Sequence, residues 1–301
     1  MASARGRDLG LSRRDLLRLG GLTGAGLVGA GVAGSALAGQ IPDRQAITIR
    51  PVRREITAAA ARRDVASFAT AIAAMQRLPA SDPRNWTRQA QLHLDYGRHA
   101  SWLFLPWHRA YLYYFEQICR ELSGHSGFAL PYWDWTAHPT IPAVFWDSAS
   151  TLFHPWRDAS PGAVVAPEFT GPATVAPMLD QANFLLFGGP GAALDAGPRD
   201  GSGYGLVEQG PHNYVQSFVG GTMATYASPL DPLFWVHQSR IDQLWTQWNI
   251  GRDHANPDDR AWWATEFTEF CDGHGQPVRI TVLSTILMPL VSYEFDTQSS
   301  P

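Results

Sequence analysis

Apolar residues recur at the spacing of an amphipathic helix in three stretches of the chain. The first covers residues 54 to 78, and Thr57 near its start is a predicted N-cap. The second, PWHRAYLYYFEQICREL, begins at Pro106, a residue that the first turn of a helix tolerates. The third covers residues 228 to 249, and Asp231 with the following proline marks its start. The pattern therefore predicts three long helices.

The rest of the chain is less regular. A short helix is predicted over residues 211 to 218, and residues 136 to 210 are rich in Gly, Pro and Ser with little periodicity. The end of the chain, RITVLSTILMPLVSYEF, alternates β-branched residues in part, which predicts a small strand element. We expect one mainly α domain with long irregular loops and minor β structure. Helices that face each other in such a domain often hold a metal between them.

The first residues have the pattern of an export signal. Arg13 and Arg14 precede a weakly apolar stretch rich in Gly and Ala, which ends in the small-residue cleavage pattern Ala36-Leu37-Ala38. Paired arginines in this setting are typical of the twin-arginine pathway. The sequence thus predicts a signal peptide over residues 1–38, a folded domain over residues 39–301, and an exported or secreted product. The glycines dilute the apolar stretch and no second one follows, so no membrane anchor is expected in the mature protein.

Composition excludes several classes of function. The formal net charge is −4 and no basic run occurs after the first twenty residues, which argues against a nucleic-acid surface. All 23 basic residues are arginine, so chemistry that needs a lysine Schiff base is excluded. The chain has two cysteines, Cys119 and Cys271. Export would permit a disulfide between them, and buried free thiols are the alternative.

The histidines form the clearest chemical pattern. Three of the ten, His93, His99 and His108, fall in the segment HLDYGRHASWLFLPWH, and His212 and His237 lie on predicted helices. The other five lie in loop-like or polar surroundings, where a surface or structural role is expected: His125, His138, His154, His254 and His274. Imidazoles that converge in an apolar interior suit copper, zinc or iron. Because the cluster has no cysteine and Asp95 as its one carboxylate, an all-nitrogen site is the simplest interpretation, and it favours copper.

Two longer motifs carry a family resemblance. HASWLFLPWHRAYLYYFE and DPLFWVHQSRIDQLWTQW resemble the two copper-binding signatures of the tyrosinase and polyphenol oxidase family, and YWDW at 132 to 135 fits the same family. The resemblance covers about residues 45 to 296. It implies a central four-helix bundle that holds a dinuclear, oxygen-binding type 3 centre with two copper ions. The chain resembles a short bacterial form of this family without a C-terminal lid domain, so the site is expected to be open or covered by a separate partner.

The resemblance assigns ligands position by position. It places His93, His99 and His108 on the first copper, and His212 and His237 on the second. The family supplies a sixth histidine four residues after the position of His212, but this chain has Gln216 there. Because residues four apart share a helix face, Gln216 can point at the same metal as a weaker oxygen donor. The alternative is a hydrogen-bonded Gln216 that leaves this copper with two histidines and water. The adjacent pair of histidines common in the family is also absent, since the chain reads His237-Gln238.

Further positions match or depart from the family. Glu208 and Asn213 are similar to the pair that holds a water near the coppers and accepts the phenol proton, although Glu208 could instead cap a short helix. No cysteine lies between the first two histidines, so the thioether of some members cannot form. His99 must therefore be held by packing and hydrogen bonds. YEF at 293 to 295 resembles a tyrosine motif that closes the domain against an arginine such as Arg50 or Arg53.

The expected function is an exported copper-dependent phenol oxidase. It would use O2 to convert o-diphenols or o-aminophenols to quinones or quinone imines, and its partners would be a small phenolic substrate, O2 and a copper chaperone. Monophenol o-hydroxylation ranks lower because Gln216 alters the metal site on which a phenolate must be placed. The alternatives are a haemocyanin-like oxygen-binding protein, or a copper protein that Gln216 has impaired.

Overall fold

The computed structural model describes residues 50–191 and 203–296, and the predicted signal peptide lies outside this part of the chain. The fold is mainly helical, as predicted. Its α-helices, numbered in chain order, are α1 Arg62–Arg77, α2 Trp86–Tyr96, α3 Phe104–Ser123, α4 Pro167–Thr170, α5 Pro172–Asp180, α6 Phe184–Phe187, α7 Asn213–Val219, α8 Pro232–Thr246, α9 Arg260–Ala264 and α10 Val282–Val291. Short 3-10 turns are Ala59–Ala61, Ala143–Trp146, Gly221–Ala224 and Ser228–Leu230, and π-helical turns are Glu208–His212 and Gln247–Gly251. No helix in residues 50–191 or 203–296 is long and apolar enough to cross a bilayer.

The strands are short and paired in twos: β1 Val52–Arg53, β2 Glu266–Phe267, β3 Ile280–Thr281 and β4 Glu294–Phe295. β1 pairs with β4 in parallel, with Val52 opposite Glu294, and β2 pairs with β3 antiparallel. The β1–β4 pair joins the two ends of the described chain. Most of the segment from 279 to 295 is helix α10 and not strand, because its apolar side chains pack against α3 as a helix. The predicted strand element is confined to its ends.

The predicted helices are found close to their expected positions. Asp231 caps α8, its side chain accepting a hydrogen bond from Leu233 N at 2.9 Å. Thr57 does not cap α1; its hydroxyl donates to Glu55, and the helix starts five residues later. Every residue of α8 is buried, which is the property of a helix at the centre of a bundle.

Aromatic packing fixes the neighbours of this central helix. The rings of Phe115 on α3 and Trp235 on α8 are stacked with centroids 3.4 Å apart. Tyr111 lies 4.7 Å from Trp235 and 4.9 Å from Trp107, so the α3–α8 interface is continuous. Because such rings bury large areas and hold a defined geometry, they fix the relative position of the helices that carry the histidines.

A buried ion network connects both ends of the described chain to helices α3 and α8. Arg53 is fully buried and donates to Glu116 on α3 and to Asp242 on α8, both at 2.8 Å. Its guanidinium lies 3.7 Å from the ring centroid of Tyr293, whose hydroxyl also donates to Asp242. The tyrosine motif therefore closes on Arg53, as the resemblance implied. Cys119 and Cys271 are both buried free thiols.

Candidate metal centre

His93 reaches the centre from α2. Asn85 caps this helix by accepting hydrogen bonds from Thr87 N and Arg88 N, and its amide donates to Leu78 O at the end of α1. The His93 ring is buried, and its Nδ1 lies 2.8 Å from Tyr226 O. Because a carbonyl oxygen only accepts, Nδ1 carries the proton and the lone pair is on Nε2.

His99 lies in the sharp connection between α2 and α3. Ala100, which follows it, has a positive φ of 54°, a conformation that non-glycine residues seldom adopt. This turn aims Ala100 N at both carboxylate oxygens of Glu208, at 3.1 and 3.0 Å, while His99 Nδ1 lies 2.8 Å from Glu208 Oε1. Glu208 is fully buried. The carboxylate thus fixes the ring so that its Nε2 faces His93 Nε2, 3.1 Å away.

His108 enters from the first turns of α3. Its Nδ1 donates to Phe104 O at 2.9 Å, so all three rings use Nδ1 as the donor. Its Nε2 has no hydrogen-bond partner in the described chain. Burial and the neighbouring His93 and His212 lower the pKa of His108 well below its ordinary value. The ring is therefore neutral at physiological pH and keeps its lone pair.

The three rings converge on one point. A potential ligand atom from each of His93, His99 and His108 lies within 4.8 Å of the others. The Nε2 atoms of His93 and His99 are 3.1 Å apart, and both carry lone pairs. Facing lone pairs repel each other unless a cation lies between them, so these residues fit a metal ion. Asp95, the one carboxylate in the sequence cluster, is exposed and accepts from Gln91 instead.

His212 and His237 form the second half of the centre. His212 closes the π-helical turn that precedes α7, a feature common at functional sites, and its Nδ1 lies 2.9 Å from Asn213 Oδ1. His237 lies on α8, and among described residues neither of its ring nitrogens has a hydrogen-bond partner. The ring centroids of these two histidines are 5.5 Å apart, and that of His212 is 5.8 Å from that of His99.

Burial keeps this second pair of rings neutral. Desolvation lowers the pKa of His212 to about 3, with Asn213 opposing the shift and His93 adding to it. Desolvation, followed by the neighbouring His212, lowers the pKa of His237 well below its usual value. Neutral imidazoles are the form that binds metal, so His108, His212 and His237 are in a state able to act as ligands. The fold brings them together with His93 and His99.

Two glutamine amides also reach His212. Gln216 on α7, which is half-buried, has its Nε2 3.1 Å from His212 Nε2, and Gln238 on α8 has its Nε2 2.8 Å from the same atom. Gln216 therefore faces His212, and its role as a copper ligand stays a prediction. Sequence analysis did not predict that Gln238 reaches the metal centre. Its position directly after His237, where the family often has a second histidine, could have indicated this.

The centre opens to a cavity of about 340 Å³. Its wall includes Asn213, Gln216, Tyr204 and Tyr226, together with rings of the histidine centre. The ring of Tyr226 lies 5.4 Å from His99 between centroids, over the first half of the centre. The volume is in the range of small-ligand pockets. The remaining five histidines lie away from this cavity, with partners such as Ser67 for His125 and Thr222 for His154.

The chain is similar to curated proteins named as a polyphenol oxidase and a tyrosinase. It is 31% identical to the latent form of a chloroplastic polyphenol oxidase of Prunus armeniaca over 268 residues, and this alignment covers 74% of this chain and 44% of that protein. It is 32% identical over 222 residues to a tyrosinase of Hahella sp. strain CCB-MM4, covering 66% of this chain and 47% of that protein. The chain thus spans less than half the length of these relatives.

A structural match and a family model agree with these relatives. Active aurone synthase, a polyphenol oxidase whose solved structure is described with a copper B, matches with a TM-score of 0.70 and 25% identity, covering 88% of this chain and 89% of that one. The model of the common central domain of tyrosinase matches residues 83–174 and 191–250, which include all five histidines and both glutamines of the centre. The chain belongs to the tyrosinase family.

Proposed function

We propose that this chain is a copper-dependent phenol oxidase that uses O2 to convert o-diphenols or o-aminophenols to quinones or quinone imines. The observation that carries the proposal is the convergence of buried imidazole rings at the floor of an open cavity. The curated relatives, a polyphenol oxidase and a tyrosinase, support the same class of activity. A cavity of about 340 Å³ accommodates a single substituted phenol ring.

The cofactor of this centre is a pair of copper ions, in agreement with the sequence resemblance, with family membership and with the buried histidine triad. His93, His99 and His108 would hold the first ion, and His212 and His237 the second. When bound, the pair would supply the binding and reduction of O2. The donor set fits this metal, because it is rich in imidazole and poor in carboxylate.

The protein itself positions the ligands and the substrate. Tyr226 O, Glu208 and Phe104 O each accept the Nδ1 proton of one histidine, so that the three rings turn Nε2 inward. Asn213 does the same for His212. The aromatic rings behind the centre, such as those of Trp107 and Phe234, exclude water from the metal side, which leaves the cavity as the route for a phenol.

Diphenol or aminophenol oxidation ranks above monophenol hydroxylation in this proposal. Attack on a monophenol needs a base for the phenol proton, and the resemblance gives that role to a water held by Glu208 and Asn213. Glu208 already accepts hydrogen bonds from Ala100 N and His99, so fewer of its lone pairs are available to such a water. Gln216 alters the second metal position as well.

Metal content and oxygen uptake test the proposal. Copper-reconstituted protein should hold two coppers by elemental analysis and should consume O2 with catechol and 2-aminophenol faster than with tyrosine. His108→Gln should lose turnover, whereas His125→Gln, which alters a histidine outside the centre, should not. One copper and no oxygen uptake with any of the three substrates would overturn the proposal.

An impaired copper protein is the second candidate, because the Gln216 amide lies against His212 Nε2, an atom that the second copper requires. Gln216→His separates the two functions. If the wild-type site works, this variant should change turnover little. A large gain of turnover from an inactive parent would favour the impaired protein, and a stable oxygenated absorbance without quinone would favour a haemocyanin-like oxygen carrier.

Export by the twin-arginine pathway and delivery of copper by a chaperone belong to the same proposal. The paired arginines and the small-residue cleavage pattern ending at Ala38 support export. N-terminal sequencing of the protein recovered outside the cytoplasm should begin near Gly39, and replacing both arginines by lysine should abolish its appearance there.

A further inference from the structure

Gln238 is placed unlike an ordinary core glutamine. It follows His237 on α8 and is 1% exposed. Its Nε2 lies 2.8 Å from His212 Nε2, while its Oε1 is buried and has no hydrogen-bond partner among the residues of 50–191 and 203–296. A buried acceptor without a hydrogen bond is unfavourable, which makes this oxygen available as a donor to a metal ion.

The spacing around His212 matches that of ligands on one ion. Two donors that each lie about 2.0–2.1 Å from a metal are about 3 Å apart when they occupy neighbouring positions. The amide of Gln238 lies 2.8 Å from His212 Nε2, and that of Gln216 lies 3.1 Å away. Because His212 Nδ1 donates to Asn213, its Nε2 keeps the lone pair that accepts from both amides.

A metal on that lone pair changes which end of the amide is favoured. Without metal, the NH2 group of Gln238 donates to His212 Nε2. A cation at this position repels the NH2 group and attracts the oxygen, and half a turn of the terminal amide exchanges the two. That torsion is soft in glutamine. The turn would give the oxygen the metal as its partner and would move the NH2 group to the side where the oxygen now lies.

The two glutamines differ in how deeply they are buried. Gln216 is half-buried and lines the open cavity, so that water can compete with its amide for the metal. Gln238 is 1% exposed and lies on the rigid central helix, where water cannot replace it. A donor already held at ligand spacing loses little freedom on binding, which favours Gln238 over Gln216.

We infer that Gln238 supplies the third protein ligand of the second copper, through Oε1, and that Gln216 is the weaker, exchangeable donor. The inference rests on the two-copper centre of the proposed function. It replaces the missing sixth histidine with a residue from a different helix. The opposite arrangement, in which Gln238 locks His212 away from metal, predicts the reverse effect of removing the amide.

The test compares Gln238→Leu with the matched variant Gln216→Leu. Copper retained against a graded chelator is measured by elemental analysis, with the first copper as internal reference. Gln238→Leu should lower the affinity for the second copper by at least about tenfold, and Gln216→Leu should lower it by a smaller factor. If Gln238→Leu binds the second copper as tightly as wild type or more tightly, the inference is overturned. That result would support the opposite arrangement, in which Gln238 keeps His212 away from the metal.

Gln238→Glu covers the case in which the leucine variant does not fold. A carboxylate keeps the shape and offers a charged oxygen, so its second copper should be held at least as tightly as in wild type. Weakening of the second copper in this folded variant would also count against the inference. The proposed function fails separately: a wild type that holds two coppers without oxidising any phenol would refute it, while the comparison of copper retention would still decide the ligand.

Discussion

Glu208 joins the two halves of the metal centre, and its replacement tests how the first half is built. The carboxylate is fully buried, accepts from Ala100 N at both oxygens, and lies 2.8 Å from His99 Nδ1. Glu208→Gln keeps the shape but replaces one accepting oxygen with an NH2 group. The new NH2 group then faces another donor in either orientation: Ala100 N when the oxygen stays on the His99 side, and His99 Nδ1 when the amide is reversed.

The structure sets the size of the effect. A buried donor without an acceptor costs about 1–3 kcal/mol, and the metal-free Glu208→Gln protein should lose that much free energy of unfolding. Loss of a carboxylate partner from a metal-binding histidine typically weakens the metal by about 10–100-fold. We expect the first copper to weaken by such a factor, because His99 is no longer fixed and its ring is less basic.

Urea unfolding of the metal-free protein and chelator competition of the copper form measure the two effects. Glu121→Gln is the control, since Glu121 also faces a histidine, His274, but the pair is exposed and 3.7 Å apart. An exposed pair of this kind contributes less than about 1 kcal/mol. If Glu208→Gln unfolds like wild type and retains the first copper equally well, then Glu208 does not position His99 and the reasoning is refuted.

Two further predictions concern the core. Arg53→Met should lower the free energy of unfolding in urea by about 3–5 kcal/mol, because it removes two buried charge-assisted hydrogen bonds, to Glu116 and to Asp242. Arg279→Met is the control, since its pair with Glu266 is exposed and should contribute less than about 1 kcal/mol; equal losses would contradict the network. Burial raises the pKa of Cys271 to about 11 and that of Cys119 well above its ordinary value. Alkylation needs the thiolate, so both thiols should be almost inert toward a thiol-reactive dye at pH 8 in the native protein. They should react faster as the pH rises and at once in denaturant. Rapid labelling of the native protein at pH 8 would refute this prediction.

Local sequence determined the elements that carry the histidines. The helical spacing around Pro106 and after Asp231 placed α3 and α8 correctly, because periodicity and capping are properties of neighbouring residues. The composite motifs around His108 and His237 then brought the family resemblance, and with it the copper cofactor. Helix α2 was not predicted, although the cap at Asn85 was a readable signal for it.

Tertiary packing decided what the local pattern could not contain. The segment after residue 279 became a helix because it packs against α3, which outweighed its β-branched alternation. Glu208 meets His99 across 109 residues of sequence, and no local spacing encodes that pairing.

The same holds for the donors of the second copper position. The sequence identified Gln216 from its distance along one helix, four residues after His212. Gln238 reaches the same imidazole from α8, 26 residues away in sequence, and only the packing of two helices brings its amide there. The sequence therefore determined which residue types are available for metal chemistry, and the fold decided which of their atoms meet, because contacts between distant segments depend on how helices pack and not on the order of residues within them.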